Sequence, residues 1–163
     1  LMADLSLKVP SYKAIEQAYM LFTQVTGRSG RLLPGEAIIQ GYDLKHFAIK
    51  NVLNHYEDFY KEAIYYRKIS DYSPFKYTAQ ILFEGKQYLK TFQQAFLLKK
   101  KLSLINIDIL GPTPAMIKMI KGQFRFTLTL KSKDPINHLV FDLIKLYETK
   151  DIQVRYYPTL DQV

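Results

Sequence analysis

From Lys76 onward the spacing of apolar residues changes repeatedly, in the order strand, helix, strand, strand, helix, strand. Thr78 to Glu84 alternates, with Ala79, Ile81 and Phe83 on one side and Thr78, Gln80 and Leu82 on the other. Gln87 to Leu102 reads as a helix with Leu89, Phe92, Ala95 and Phe96 inward. Lys99, Lys100 and Lys101 fall in its last turn, where cations suit the helix dipole and read as a solvated end. Ile105, Ile107 and Ile109 alternate with Asn106 and Asp108 until Gly111-Pro112-Thr113-Pro114 breaks the chain, so Gly111 to Gly122 reads as a connection. Phe124, Phe126, Leu128 and Leu130 then alternate with Arg125, Thr127, Thr129 and Lys131 in a two-faced strand. Asp134 caps the next helix, with Pro135 at its first position and Ile136, Leu139, Val140, Leu143, Ile144 and Tyr147 as its inward stripe. Ile152, Val154 and Tyr156 make the last strand. Helices on one face of an antiparallel sheet in this order form the split βαβ, or ferredoxin-like, arrangement; the fold class is α+β.

That arrangement assigns faces. With Ile81, Ile107, Phe126 and Val154 toward the helices, the opposite face carries Thr78, Gln80, Asn106, Asp108, Arg125, Thr127, Thr129, Lys131, Gln153 and Arg155. It is polar and mostly basic, and nucleic acid, a neighbouring domain or water would each suit it. Lys+Arg 23 against Asp+Glu 15 leaves a net charge of +8, which favours a polyanionic partner. Cysteine is absent, which excludes disulfides, thiolate zinc sites and cysteine nucleophiles. His46, His55 and His138 do not stand at metal-ligand spacing, so no metal site is expected. No window approaches the roughly 18 uncharged apolar residues that cross a bilayer. The expectation is a cytoplasmic chain without a membrane partner.

The amino-terminal part follows a different plan. Ser11 caps a helix whose Ile15, Ala18, Tyr19, Phe22 and Val25 form one stripe, ending in Gly27-Arg28-Ser29-Gly30-Arg31. After the turn signal Pro34-Gly35, the run Glu36 to Tyr42 reads as a buried strand. Leu44 to Ile69 is aromatic-rich and helical, as two helices, with Ile49, Val52, Leu53, Tyr56, Phe59, Tyr60, Ala63 and Ile64 as its apolar side. Tyr72-Ser73-Pro74-Phe75 ends it, since the residue before proline avoids the helical region.

Gly-Arg-x-Gly-Arg at 27–31 is the string richest in chemistry. A basic turn is its plainest use. Its position, in a loop between an aromatic-striped helix and a strand, also suits presentation of two guanidinium groups to a neighbouring lobe. Arginine is the residue that neutralises charge on a transferring phosphoryl group. Glycines let the backbone approach closely. The string Gln24-Val25-Thr26-Gly27-Arg28-Ser29-Gly30-Arg31 resembles motif VI of superfamily 2 helicases. Ala3-Asp4 with Leu5 and Leu7, Pro10, Glu16, Pro34-Gly35-Glu36 and Ile39-Gln40 narrow the resemblance to the replication-restart helicases of primosomes. Tyr56-Glu57-x-Phe59-Tyr60, Arg67, Tyr72-x-Pro74-Phe75 and Leu110-Gly111-Pro112-x-Pro114-Ala115 follow in the family's order. Thr26 and Ser29 stand where the family commonly has alanine, a small-for-small exchange that keeps the loop plausible.

The resemblance implies a carboxy-terminal fragment: residues 1–43 as the end of a RecA-like second helicase lobe, 44–75 as a helical connection, and 76–163 as the ferredoxin-like domain. It implies an ATP-dependent 3′ to 5′ DNA helicase, an ATP hydrolase that recognises stalled forks and restarts replication by assembling the primosome. Its partners would be forked and single-stranded DNA, single-strand DNA-binding protein and other primosome proteins. Arg31 would be the arginine finger toward the γ-phosphate, Arg28 its partner, and Gln24 a polar contact, with Gly27 and Gly30 shaping the loop. ATP with Mg would bind mostly outside this chain, and the family's zinc module needs cysteines that are absent here.

No Gly-x-x-x-x-Gly-Lys-Ser/Thr loop and no Asp-Glu-x-His box occur in the sequence, so the fragment alone is expected to lack ATPase activity. The candidate DNA or partner contacts are Lys118 and Lys121, in the expected glycine-bounded connection, and Arg125 and Lys131 on the open sheet face. Phe124 and Phe126 share a side with Leu128 and Leu130 and read as core. The tyrosines at 56, 60, 65, 66 and 72 suit base stacking or packing between domains. The alternative is a free-standing, non-enzymatic nucleic-acid-binding module of ferredoxin-like fold, in which Arg28 and Arg31 simply grip phosphates.

Overall fold

The structure, a computed structural model, describes residues 7, 11–28, 35–105 and 107–159. The chain divides into two compact units, Leu1–Ser70 and Asp71–Val163.

In the first unit, helix α1 spans Tyr12–Thr26, α2 spans Phe47–Lys50 and α3 spans Tyr56–Ile69. Ser11 caps α1 as its position before the apolar stripe requires, its hydroxyl accepting from the Lys13 N–H at 3.2 Å. At the other end the Gly27 N–H donates to the Thr23 carbonyl. The helix buries Ala14, Ala18, Tyr19 and Phe22. Tyr19 lies flat on Phe59 of α3, centroids 3.8 Å apart, and Phe47 of α2 stacks on Phe59 at 5.6 Å. Glu57 and Asp58 open α3 and Arg67 and Lys68 close it, the charge order its dipole favours.

Two expectations fail in this unit. Residues 36–39 carry no regular structure and Gln40 makes only a single bridge, so the expected strand from Glu36 to Tyr42 is absent. Ile38 is largely exposed, so the run is not a buried strand. Leu53, Tyr56 and Tyr60, expected inward, are exposed. The break between α2 and α3 resets the helical phase, so that Phe47 and Ala48 join the expected Val52, Phe59 and Ala63 on the inward side.

The second unit contains β1 (Tyr77–Gly85), α4 (Tyr88–Leu102), β2 (Asp108–Ile120), β3 (Gln123–Ser132), α5 (Asn137–Lys145) and β4 (Ile152–Tyr157). The sheet runs β2-β3-β1-β4, antiparallel throughout, which is the split βαβ topology expected from the period changes. Ala79, Ile81 and Phe83 of β1 and Phe126, Leu128 and Leu130 of β3 form the core with Ala95, Leu98 and Leu102 of α4 and Val140 and Ile144 of α5.

Here too the sequence reading needs correction. The inward face of α4 is Thr91, Ala95, Leu98 and Leu102, while Leu89 and Phe96 are exposed. The small Ala95 and Thr91 let the helix sit close to the sheet, and that sets the phase. Helix α5 starts at Asn137, without a side-chain cap from Asp134, whose N–H donates to the Ser132 hydroxyl at 3.2 Å. Leu139 of its expected stripe is exposed. The expected connection from Gly111 to Gly122 is mostly strand: β2 continues through both prolines to Ile120. It can do so because it is the edge strand, where a missing N–H breaks no ladder bond. Register shifts fall between Leu110 and Thr113 and between Pro114 and Met119. Lys121 (φ 48°) and Gly122 (φ 74°) form the two-residue turn into β3, with Ile120 paired to Gln123.

The face opposite the helices is not uniformly open. Thr78, Leu82, Glu84 and Thr127 are buried there, and so is Ala115 of β2.

Candidate nucleic-acid interface

Gln24, Gly27 and Arg28 stand at the carboxy-terminal end of α1, with Gln24 and Arg28 exposed. The Arg28 N–H donates to the Val25 carbonyl at 3.3 Å, closing the last turn. A helix carboxy terminus carries partial negative charge, so an anion here would be held by guanidinium groups and not by helix N–H donors. Gly30 and Arg31 lie outside the described residues.

The four basic contact candidates in the second unit fall into three settings. Lys118 lies on β2 and Lys121 in the β2–β3 turn, and both are exposed. They share an arm with Met116, Ile117, Met119 and Ile120, all exposed. A basic, apolar hairpin end of this kind suits phosphates together with a hydrophobic contact.

Arg125 on β3 is engaged at the root of that arm. Its Nε donates to Glu84 Oε1 at 3.0 Å and its Nη1 to the Ile117 carbonyl at 3.3 Å. Glu84 is buried and also faces Arg155, whose Nε lies 3.2 Å from Oε2 as an ion pair without hydrogen-bond geometry. Arg125 therefore fastens the arm to the sheet, and Arg155, more than half exposed, is the guanidinium of this triad open to solvent.

Lys131 sits six residues further along β3, about 20 Å away. Its Nζ lies 4.1 Å from the centroid of the Tyr72 ring, and burial lowers its pKa from the ordinary lysine value, assisted by the nearby charge of Lys76. Lys76 in turn bridges Asp108 at 2.6 Å and Asp71 at 3.1 Å. Hydrogen bonds to these two carboxylates raise the pKa of Lys76, and its hydrogen bond holds Asp108 below the usual carboxylate range. Lys99, expected to be a solvated helix end, instead donates to the Gly111 carbonyl where β2 shifts register.

Sequence reasoning missed the role of Glu84. The apolar residues beside Lys118 and Lys121 were visible as the run Met116 to Ile120, but the prolines before it favoured a loop where the structure has strand. Among the described residues no group of three His, Cys, Asp or Glu is placed to hold a metal, and no helix is long and apolar enough to cross a membrane.

The family model described as "Primosomal protein N C-terminal domain" matches residues 68–155. The replication restart protein PriA of Bacillus subtilis is 33% identical over 138 residues, covering 82% of this chain and 17% of that protein. The PriA of Chlamydia pneumoniae is 36% identical over 135 residues, covering 79% and 18%. That of Borreliella burgdorferi is 28% identical over 166 residues, covering 96% and 25%. The chain thus spans a quarter or less of the length of these relatives.

Proposed function

The chain belongs to the primosomal protein N C-terminal domain family, and on that premise we propose that it is the carboxy-terminal part of a replication-restart DNA helicase. The parent is an ATP-dependent 3′ to 5′ helicase that recognises stalled forks and assembles the primosome. Residues 1–43 are the end of its second, RecA-like lobe, 44–75 a helical connection and 76–163 the domain that holds DNA. The observation that carries this reading is the family match over 68–155, which covers the βαββαβ fold and its basic arm. The relatives' printed name, replication restart protein, supports the same role.

At the nucleotide, Arg31 is the arginine finger and Arg28 its partner, with Gln24 as a polar contact beside Gly27 and Gly30. ATP with Mg is completed by residues outside this chain. Support comes from the Gly-Arg spacing directly after the end of α1, with Arg28 exposed. At the DNA, Lys118 and Lys121 contact phosphates, while Lys131 and Arg125 position the sheet around them. Forked and single-stranded DNA, single-strand DNA-binding protein and other primosome proteins are the partners, in the cytoplasm.

Two measurements test this. The chain should bind a single-stranded oligonucleotide, and Lys118→Ala with Lys121→Ala should lower the salt slope by about 1.4, roughly 0.7 per phosphate contact. Arg31→Ala in the longer protein should abolish DNA-stimulated ATP hydrolysis and spare DNA binding. ATP hydrolysis by the pure chain alone would overturn the assignment. Loss of DNA binding with hydrolysis intact would favour a non-enzymatic nucleic-acid-binding module instead.

A further inference from the structure

A cleft of about 320 Å³ opens beside α5 and β4, lined by Asn137, His138, Phe141, Asp142, Tyr156 and Pro158. None of these residues belongs to the basic arm or to the Gly-Arg loop. The Tyr156 hydroxyl donates to Asn137 Oδ1 at 2.5 Å, which engages the acceptor of that amide and leaves its NH2 group to donate. The side chains of His138 and Asp142 make no hydrogen bond or ion pair with any described residue. Phe141 is half exposed, and Lys145 Nζ lies 4.4 Å from its ring centroid. The cleft therefore offers an aromatic wall, a free carboxylate acceptor, a free amide donor, an imidazole and a cation at its rim.

We propose that this cleft takes a single unstacked nucleobase by the N–H edge that each of the four bases carries, an inference that rests on the reading of this domain as DNA-binding. The volume suits one base. The Phe141 ring gives a face for stacking, which needs no particular sequence. The Asp142 carboxylate accepts from an amino or imino N–H and repels a phosphate, so the base edge enters and the backbone stays outside, toward Lys145. The Asn137 amide donates to a ring nitrogen or carbonyl. A cationic peptide side chain would also suit an aromatic ring and a carboxylate. Lys145 already supplies the cation at that ring, and a second positive charge there would be repelled.

The test titrates the 163-residue chain with dCMP, dAMP, dGMP and dTMP while following amide and aromatic NMR shifts. All four nucleotides should move resonances of Asn137 to Asp142 and of Tyr156, and inorganic phosphate should not. Phe141→Ala, at a half-exposed site, should weaken binding about tenfold through lost stacking. Asp142→Asn, an isosteric change at an exposed residue, replaces a charged acceptor by a neutral one and should weaken binding of all four nucleotides while the spectrum stays folded. Shifts confined to the arm, or none in α5 and β4, overturn the proposal, as does indifference to both substitutions. A response to arginine amide in place of nucleotides would assign the cleft to a protein partner and overturn it equally. If oligonucleotides bind through Lys118 and Lys121 while the cleft stays silent, only this inference fails; if neither site responds, the DNA-binding reading falls with it.

Discussion

Arg67 of α3 closes on Glu16 of α1, Nη2 to Oε1, joining two residues 51 positions apart in sequence. The same two helices bring Tyr19 flat against Phe59, so the ion pair and the ring stack fix one helix against the other. Glu16 is the more exposed partner and solvent screens the pair. Glu16→Gln and Arg67→Met should each lower stability by about 1 kcal/mol, with a coupling of roughly 0.5 kcal/mol in the double-mutant cycle. Urea midpoints followed by circular dichroism measure it; strict additivity would show that the pair contributes nothing.

Glu84 is buried between two arginines, and its substitution separates charge from packing. Glu84→Gln keeps the volume but leaves Arg125 without its carboxylate, at a cost of about 2 kcal/mol. Because Arg125 also donates to the Ile117 carbonyl, amide exchange in Met116 to Ile120 should quicken more than in β4. Two released guanidinium groups should also tighten binding to heparin at low salt. Unchanged exchange in the arm would refute the anchoring role.

The first unit should lose stability in mild acid. His46 caps α2 with a ring nitrogen, Nδ1 accepting from the Ala48 N–H at 3.2 Å, and that bond requires the neutral ring. Burial lowers the His46 pKa, against the opposing charges of Asp43 and Glu62. The unfolded chain therefore binds the proton more readily. The contribution is fully present above the ordinary histidine value near 6.5 and declines as pH falls toward the folded value. His46→Asn, which caps without titrating, should flatten the profile over about pH 5–7. Thermal melts across that range decide; identical slopes for both proteins would discard the idea.

Gly111 holds φ at 103°, and a Cβ there would stand 2.5 Å from the Thr127 carbonyl oxygen. Gly111→Ala should cost roughly 3 kcal/mol or more, since backbone strain and a clash with backbone add together. Gly122, also at positive φ, has nothing within 4 Å of an added Cβ, so Gly122→Ala should cost about 1 kcal/mol from conformation alone. Equal losses at the two sites would contradict the steric account.

The order of elements from Lys76 onward was legible because two hydrophobic periods are hard to confuse over six segments. The end of β2 was not, because Gly111, Pro112 and Pro114 signal a break and only the edge position makes them harmless. Phase errors in α4 and α5 have a common origin: Leu89, Phe96 and Leu139 are apolar yet exposed, and the choice among apolar residues belongs to the sheet they meet. Lys118 and Lys121 could be singled out from charge. The role of Glu84 could not, since it depends on the register that sets Glu84 opposite Arg125 and Leu82 opposite Arg155. The cleft residues are split between α5 and the far strand, and only folding collects them.

Pro112 and Pro114 also decide what the rim of this sheet can join. Each removes an N–H from the outer side of β2, and the register shifts around them interrupt any straight template for another chain. A long antiparallel sheet with an apolar margin is ordinarily exposed to edge-to-edge growth into aggregates. On this edge the apolar run Met116 to Ile120 contains Lys118, whose charge disfavours stacking of like copies. The β2 edge thus keeps an apolar stretch for recognition while its prolines and Lys118 disfavour growth from that side.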